Sequence, residues 1–208
     1  MPDGLFRRVT RAIGALGNER IRQTYQTTFW YPFDGATNVV EEAADALRPH
    51  LPAGKTAGVE WWLSRMRTSD VRVDFHRDRD ERWASATGKN RHPHLSSVLF
   101  LNRVRGGLLA VTDAPPCEDN PSLAPNHTDF DLVAPQPNRF VWFDGRLTHG
   151  VLDANNQIPD RPLTRGGAWR KTIVFNWWTR APFEVPRFSE TNFYRALSPR
   201  ARAGPVPK

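Results

Sequence analysis

Residues 170–178 read Arg-Lys-Thr-Ile-Val-Phe-Asn-Trp-Trp. β-Branched and aromatic residues dominate the run, which marks a strand, and two basic residues open it. Alternate side chains of a strand point to opposite faces, so the run has two possible registers. With Arg170 inward, Thr172, Val174 and Asn176 join it, and Ile173, Phe175 and Trp177 form an apolar face for a covering layer. With Lys171 inward, polar Thr172 and Asn176 would face that layer instead. The first register wastes less apolar surface and is favoured, with Lys171 as the alternative.

Working outward from this strand, similar short runs occur at Val71–Phe75, Leu95–Leu101, Leu108–Thr112 and Phe140–Phe143, separated by Gly, Pro, Asn and Asp clusters. Ahead of them the texture is helical. In Leu5–Leu16, Phe6, Val9, Ile13 and Leu16 recur at helical spacing. Asn38 followed by Glu41 has the form of a capping box, opening a helix whose face is Val39, Val40, Ala43 and Leu47, and Pro49 and Pro52 stop it. The expected fold is α+β, mainly β: helices laid against one side of a mainly antiparallel sandwich or barrel. The 208 residues are read as a single domain with mainly helical support in 1–70, a β core in 71–180 and a Pro-rich C-terminal extension in 181–208. Ala114–Pro137 is long, proline-rich and weakly patterned, which suggests a functional loop.

Composition narrows the setting. No apolar run approaches the ~18 residues that a membrane span needs. The single cysteine, Cys117, excludes an intrachain disulfide and a multi-cysteine zinc site, and fits a reducing, cytoplasmic compartment. The formal charge of +7 favours an anionic partner, but the basic residues are scattered and form no block. A plain basic surface is preferred to a nucleic-acid groove.

One constellation carries chemistry. Val73-Asp74-Phe75-His76-Arg77-Asp78 ends an apolar run with His76 and Asp78 two residues apart, so that their side chains can converge on one ion. His149 follows the Phe140–Phe143 strand after the turn Asp144-Gly145. Two histidines and one carboxylate with open positions left over match the facial triad of non-haem Fe(II) sites. His127-Thr128-Asp129 has the same local spacing, but it lies in the proline-rich loop and leaves room for barely one hairpin before His149. His92 and His94 lack a third partner and are read as loop residues. Cys117 has no activating base nearby in sequence and is not assigned as a nucleophile.

The order of motifs resembles that of the Fe(II)/2-oxoglutarate-dependent dioxygenases, nearest to the prolyl-hydroxylase-like branch. It runs from His76-x-Asp78 through Leu95-Ser96-Ser97-Val98-Leu99-Phe100-Leu101-Asn102, Gly106-Gly107-Leu108 and Phe140-Val141-Trp142-Phe143 to His149-Gly150-Val151 and the last strand. The resemblance covers about half the chain. It implies a double-stranded β-helix (jelly-roll, cupin-like) barrel, Fe(II) held by His76, Asp78 and His149, and 2-oxoglutarate and O2 as cosubstrates. The distal carboxylate of 2-oxoglutarate would pair with Arg170, helped by Thr172, or with Lys171. Two departures lie at that end: the segment between His149 and Arg170 is long, and Phe100 stands where many relatives place a tyrosine.

The implied activity is hydroxylation of an unactivated C–H bond in an amino acid, a peptide side chain or a natural-product intermediate, with release of succinate and CO2. The carboxylate of Asp78 argues against halogenation, because related halogenases carry a small residue there. Asp80 and Glu81 are expected near the barrel mouth, as candidate contacts for a substrate amine or amide. The alternative from nucleic-acid chemistry is an oxidative demethylase of the alkylation-repair branch, which the acidic stretch His76–Glu81 and the net charge suit. Against it, Asn176 stands where that branch carries a second arginine. A metal-free cupin-like binding module is the third reading.

Overall fold

The first helix, α1 (Asp3–Leu16), buries Val9, Ile13 and Leu16 along one face, as its spacing predicts. The structure, a computed structural model, describes residues 1–24, 27–116, 129–164 and 167–198. A short α2 (Asn18–Gln23) follows, then β1 (Phe29–Tyr31) and α3 (Val39–Leu47). Asn38 caps α3, its side-chain oxygen accepting from the backbone N–H of Val40 at 2.9 Å and of Glu41 at 3.1 Å. The capping box is only half made. Glu41 turns away from the Asn38 backbone and accepts from Thr37 N at 2.6 Å and Thr37 Oγ1 at 2.8 Å.

Next come β2 (Gly58–Arg67), α4 (Glu81–Thr87), β3 (Leu95–Phe100), β4 (Leu109–Thr112), β5 (Asp131–Val133), β6 (Phe140–Asp144), β7 (Thr148–Val151) and β8 (Trp169–Trp178). They build a five-stranded sheet in the order β1-β2-β8-β3-β6 and a three-stranded sheet in the order β5-β4-β7. Every neighbouring pair is antiparallel. No closed barrel forms among the described residues. Nor is any described helix long and apolar enough to cross a membrane.

The two faces of β8 divide as the favoured register requires. Ile173, Phe175 and Trp177 enter the main core with Val59, Trp61 and Leu63 of β2, Leu95 and Leu99 of β3, and the apolar faces of α1 and α3. The other face of the sheet meets the smaller sheet through Val98, Phe100 and Phe143 against Leu109 and Val111. Arg170, Thr172 and Asn176 lie on this inner side and are buried.

Beside its helices, the segment 1–70 also holds β1 and the ten-residue β2, and β2 pairs with the whole of β8. Val71–Phe75, expected as a strand, is not one: only Phe75 of the five is buried, and among the described residues no strand pairs with it. The chain is instead pinned just beyond, at a single antiparallel bridge between His76 and His149. The Pro-rich extension packs against the core within its described residues. Phe188, Tyr194 and Leu197 are buried in the main core, with the Phe29 ring 5.5 Å from Phe188 and 6.0 Å from Tyr194. Part of the expected loop Ala114–Pro137 forms β5, whereas Cys117 and His127 lie outside the described residues.

Candidate metal centre

The His76–His149 bridge brings two distant segments together at the inner face. His76 N–H donates to His149 O at 3.0 Å, and His149 N–H donates to His76 O at 2.8 Å. Gly150 makes the approach possible, since a Cβ there would lie 2.8 Å from the Phe75 ring. One ligand atom each from His76, Asp78 and His149 can be chosen so that all lie within 4.8 Å of one another. His76 Nε2 is 3.4 Å from Asp78 Oδ1, and His149 Nε2 is 3.6 Å from Asp78 Oδ2. Ligands about 2.0–2.2 Å from one ion stand roughly 3–3.5 Å apart, so small rotations suffice to close this set on a divalent metal.

The supporting contacts fix the ligands. Each imidazole uses its Nδ1–H on a backbone carbonyl, His76 on Asp74 O at 2.7 Å and His149 on Leu147 O at 3.3 Å, which leaves both Nε2 lone pairs for a metal. Ser96 Oγ donates to Asp78 Oδ2 at 2.7 Å. His92, assigned to a loop by its sequence, donates from Nδ1 to the carbonyl of Asp78 at 2.6 Å and so holds the same segment.

Electrostatics treat the three groups differently. Burial alone would push the Asp78 carboxyl up. The nearby His149 and His76 and the Ser96 hydrogen bond outweigh it, holding Asp78 below the usual carboxylate range. Burial pushes His149 down to about 4, so its ring is neutral at pH 7. At His76 desolvation acts downward too, but the hydrogen bond and charge of Asp78 prevail and raise it.

Farther along the inner face, the Arg170 guanidinium is buried, with Nε donating to Gly107 O at 2.9 Å and the group lying 5.0 Å from the centroid of the Phe100 ring. Gly107 sits at φ 65°, a conformation that suits glycine, and a Cβ there would lie 2.7 Å from a Thr68 methyl group. Thr172 is buried and its hydroxyl has no hydrogen-bond partner. An orphaned hydroxyl beside a buried guanidinium fits an anion such as a carboxylate. Lys171 lies on the opposite face, half-buried and level with Arg65 of β2.

Asp80 and Glu81 differ in their surroundings. Asp80 is buried rather than free at a mouth: Oδ1 caps α4 by accepting from Trp83 N at 3.0 Å, while Oδ2 accepts from Phe183 N at 2.8 Å and pairs with Arg91. Its oxygens join three segments. Glu81 is exposed and pairs with Arg79 at 3.0 Å. Both border a cavity of about 720 Å³ that also touches His76, Asp78, Glu60, Trp62 and Asn176. Glu60 and Trp62 were missed in the sequence because β2 was missed, whereas Asn176 stands on β8 with the inward register read from the sequence. Glu60 accepts from Trp178 Nε1 at 3.1 Å, and burial, with Asp78 and Asp80 nearby, pushes its carboxyl up to about 7.

No protein-family model and no curated protein sequence matches the chain. Among solved structures, it is similar to a Pseudomonas putida prolyl-4-hydroxylase at 17% identity, covering 87% of this chain and 84% of that one with a TM-score of 0.45. It is similar to AviO1 from Streptomyces viridochromogenes Tue57 at 17% identity, covering 89% of each chain with a TM-score of 0.47. It is also similar to SnoN, a non-heme alpha ketoglutarate dependent epimerase from nogalamycin biosynthesis, at 13% identity over 94% of each chain with a TM-score of 0.33. In the order of its motifs and in the geometry of its His-Asp-His triad, the chain resembles the Fe(II)/2-oxoglutarate-dependent oxygenases.

Proposed function

We propose that this chain is an Fe(II)- and 2-oxoglutarate-dependent oxygenase of a single domain, its two sheets corresponding to those of a double-stranded β-helix. Its proposed reaction is hydroxylation of an unactivated C–H bond of an amino acid, a peptide side chain or a natural-product intermediate, with release of succinate and CO2. The observation that carries this reading is the convergence of His76, Asp78 and His149, with both imidazoles aimed by their Nδ1 hydrogen bonds. The iron, with 2-oxoglutarate and O2, would supply the oxidising chemistry.

What the chain contributes is position and charge. His76, Asp78 and His149 would hold the metal on one side and leave the other open. Ser96 steadies the carboxylate that would balance part of the metal charge. Arg170 and the orphaned Thr172 hydroxyl would grip the distal carboxylate of 2-oxoglutarate, the guanidinium supplying charge and the hydroxyl a second donor. Phe100 takes the tyrosine position with a ring under the guanidinium and no hydroxyl, so carboxylate binding falls to Arg170 and Thr172. The cavity beside His76 and Asp78 is the place for substrate, with Trp62 as an apolar wall.

The experiment is succinate release from 2-oxoglutarate with added Fe(II), screened across amino acids, peptides and methylated oligonucleotides. Release that is stimulated by a candidate substrate and abolished in His76→Ala and His149→Ala is the expected result. Release that survives both substitutions would overturn the assignment. Turnover confined to methylated oligonucleotides would favour the demethylase reading.

A further inference from the structure

A second cavity, of about 520 Å³, opens on the far side of the large sheet from the triad, between α2 and the paired ends of β2 and β8. Arg22, Arg65, Arg67 and Arg72 line it, with Glu19 and Asp70 as the only acids among the described residues. The acids are already engaged, Glu19 with Arg22 at 3.0 Å and Asp70 with Arg72 at 2.9 Å. Two positive charges are left over. Arg67 spreads its guanidinium over the Trp169 ring at 4.6 Å, an aromatic contact that leaves its charge unbalanced.

Arg65 is the more demanding of the two. It is 4% exposed, and its Nε and Nη1 have no hydrogen-bond partner. It stands on β2 directly opposite Lys171 of β8, so the nearest cross-strand neighbour is another cation. The strain appears on both groups: burial pulls Arg65 down to about 10, and burial together with the Arg65 charge pulls Lys171 down. A buried guanidinium without a counter-charge is costly, and nothing among the described residues supplies one.

We propose that this cavity binds a small phosphomonoester, with Arg65 as the buried anchor of its phosphate and Arg67 as the second cation. A phosphomonoester carries about −1.5 to −2 at pH 7, which matches the two unbalanced charges. A carboxylate or a phosphodiester brings only about half of that. Guanidinium donors suit phosphate oxygens in particular. Met66, Val73 and Trp169 add an apolar wall, so the organic part of the ligand has a surface to cover. The site shares no residue with the triad or with Arg170.

The test uses inorganic phosphate and phenyl phosphate as probes against chloride at equal ionic strength, read by thermal unfolding of the full chain. Phosphate should raise the midpoint saturably, by roughly 3 °C at ten times its dissociation constant. Phenyl phosphate should bind about tenfold tighter, because its ring covers the apolar wall. Arg65→Met should abolish both responses and raise the midpoint in plain buffer, whereas His76→Ala should keep both. Should Arg65→Met fail to fold, the Arg65 Nε–H resonance of the unaltered protein gives the answer by its shift on titration with phosphate. A phosphate response equal to that of chloride, a full response in Arg65→Met, or an unmoved Nε–H resonance would each overturn the proposal.

Discussion

Ser96 and Ser97 are neighbours on β3 that point to opposite faces, and removing each hydroxyl in turn separates the metal centre from the core. Ser96 is 1% exposed and gives its only described hydrogen bond to Asp78 Oδ2 at 2.7 Å. Ser96→Ala removes a donor to a buried carboxylate without leaving an unpaired polar group on β3. A hydrogen bond to a charged group contributes about 1.5–3 kcal/mol net. Loss of that donor frees Asp78 to rotate away from the histidines and disfavours its charged form. Such supporting contacts typically carry 10–100-fold in metal affinity, and a loss of roughly 30-fold is expected here. Anaerobic titration with Co(II), followed by its absorption bands, measures it directly. Ser97 Oγ instead donates to Phe175 O at 3.0 Å and accepts from Trp177 Nε1 at 2.8 Å on the helix-covered side. Ser97→Ala strands a fully buried indole N–H and should cost about 1–3 kcal/mol of stability with metal affinity unchanged. Co(II) affinity within twofold of wild type in a folded Ser96→Ala protein, or an equal loss in Ser97→Ala, would refute this division of labour.

The other predictions concern three buried charges. Arg170→Ala should weaken 2-oxoglutarate binding by ~100-fold or more, since it removes one partner of a desolvated charge pair, whereas Lys171→Ala should leave it unchanged; calorimetry on the metal-loaded protein distinguishes them. Glu60, with its carboxyl raised from 4.5 to about 7, binds a proton in the folded state that the unfolded chain lacks over that range. Stability should therefore fall as pH rises from about 4.5 to 7, by about 3 kcal/mol from this group, and Glu60→Gln should remove that component in urea titrations at each pH. Asp80→Ala strips α4 of its cap and leaves half-buried Arg91 without its carboxylate, so it should destabilise the fold by about 3 kcal/mol, read by urea unfolding.

Much of the arrangement was legible because strong local signals agreed with tertiary need. Val9, Ile13 and Leu16 lie buried on one face of α1, and the helix covers the sheet where that face points. The triad was legible for a different reason: His76 and Asp78 are close in sequence, and His149 follows a recognisable strand. Its cause was partly misjudged. Strand geometry was expected to aim His76 and Asp78 together, but the chain there forms no strand. What holds it is one bridge to His149, with Ser96 and His92 fastening Asp78 from β3 and its approach. None of those contacts has a sequence pattern, because each depends on pairing between residues far apart.

The strand β2 shows why alternation can hide in plain view. Val59, Trp61 and Leu63 follow the period of a buried face, but Arg65 continues that face with a charge, while Trp62 and Met66 put bulk on the polar side. Each exception has a use. On the inner side Glu60 and Trp62 border the cavity that touches His76 and Asp78. On the outer side Arg65 opens into the second cavity, level with Lys171. A strand selected only for packing would carry neither a buried carboxylate on one face nor a buried guanidinium on the other. The residues that blur the period of β2 are therefore those that border its two cavities, and β8 is the cleaner signal because its charges, Arg170 and Lys171, stand together at its opening end.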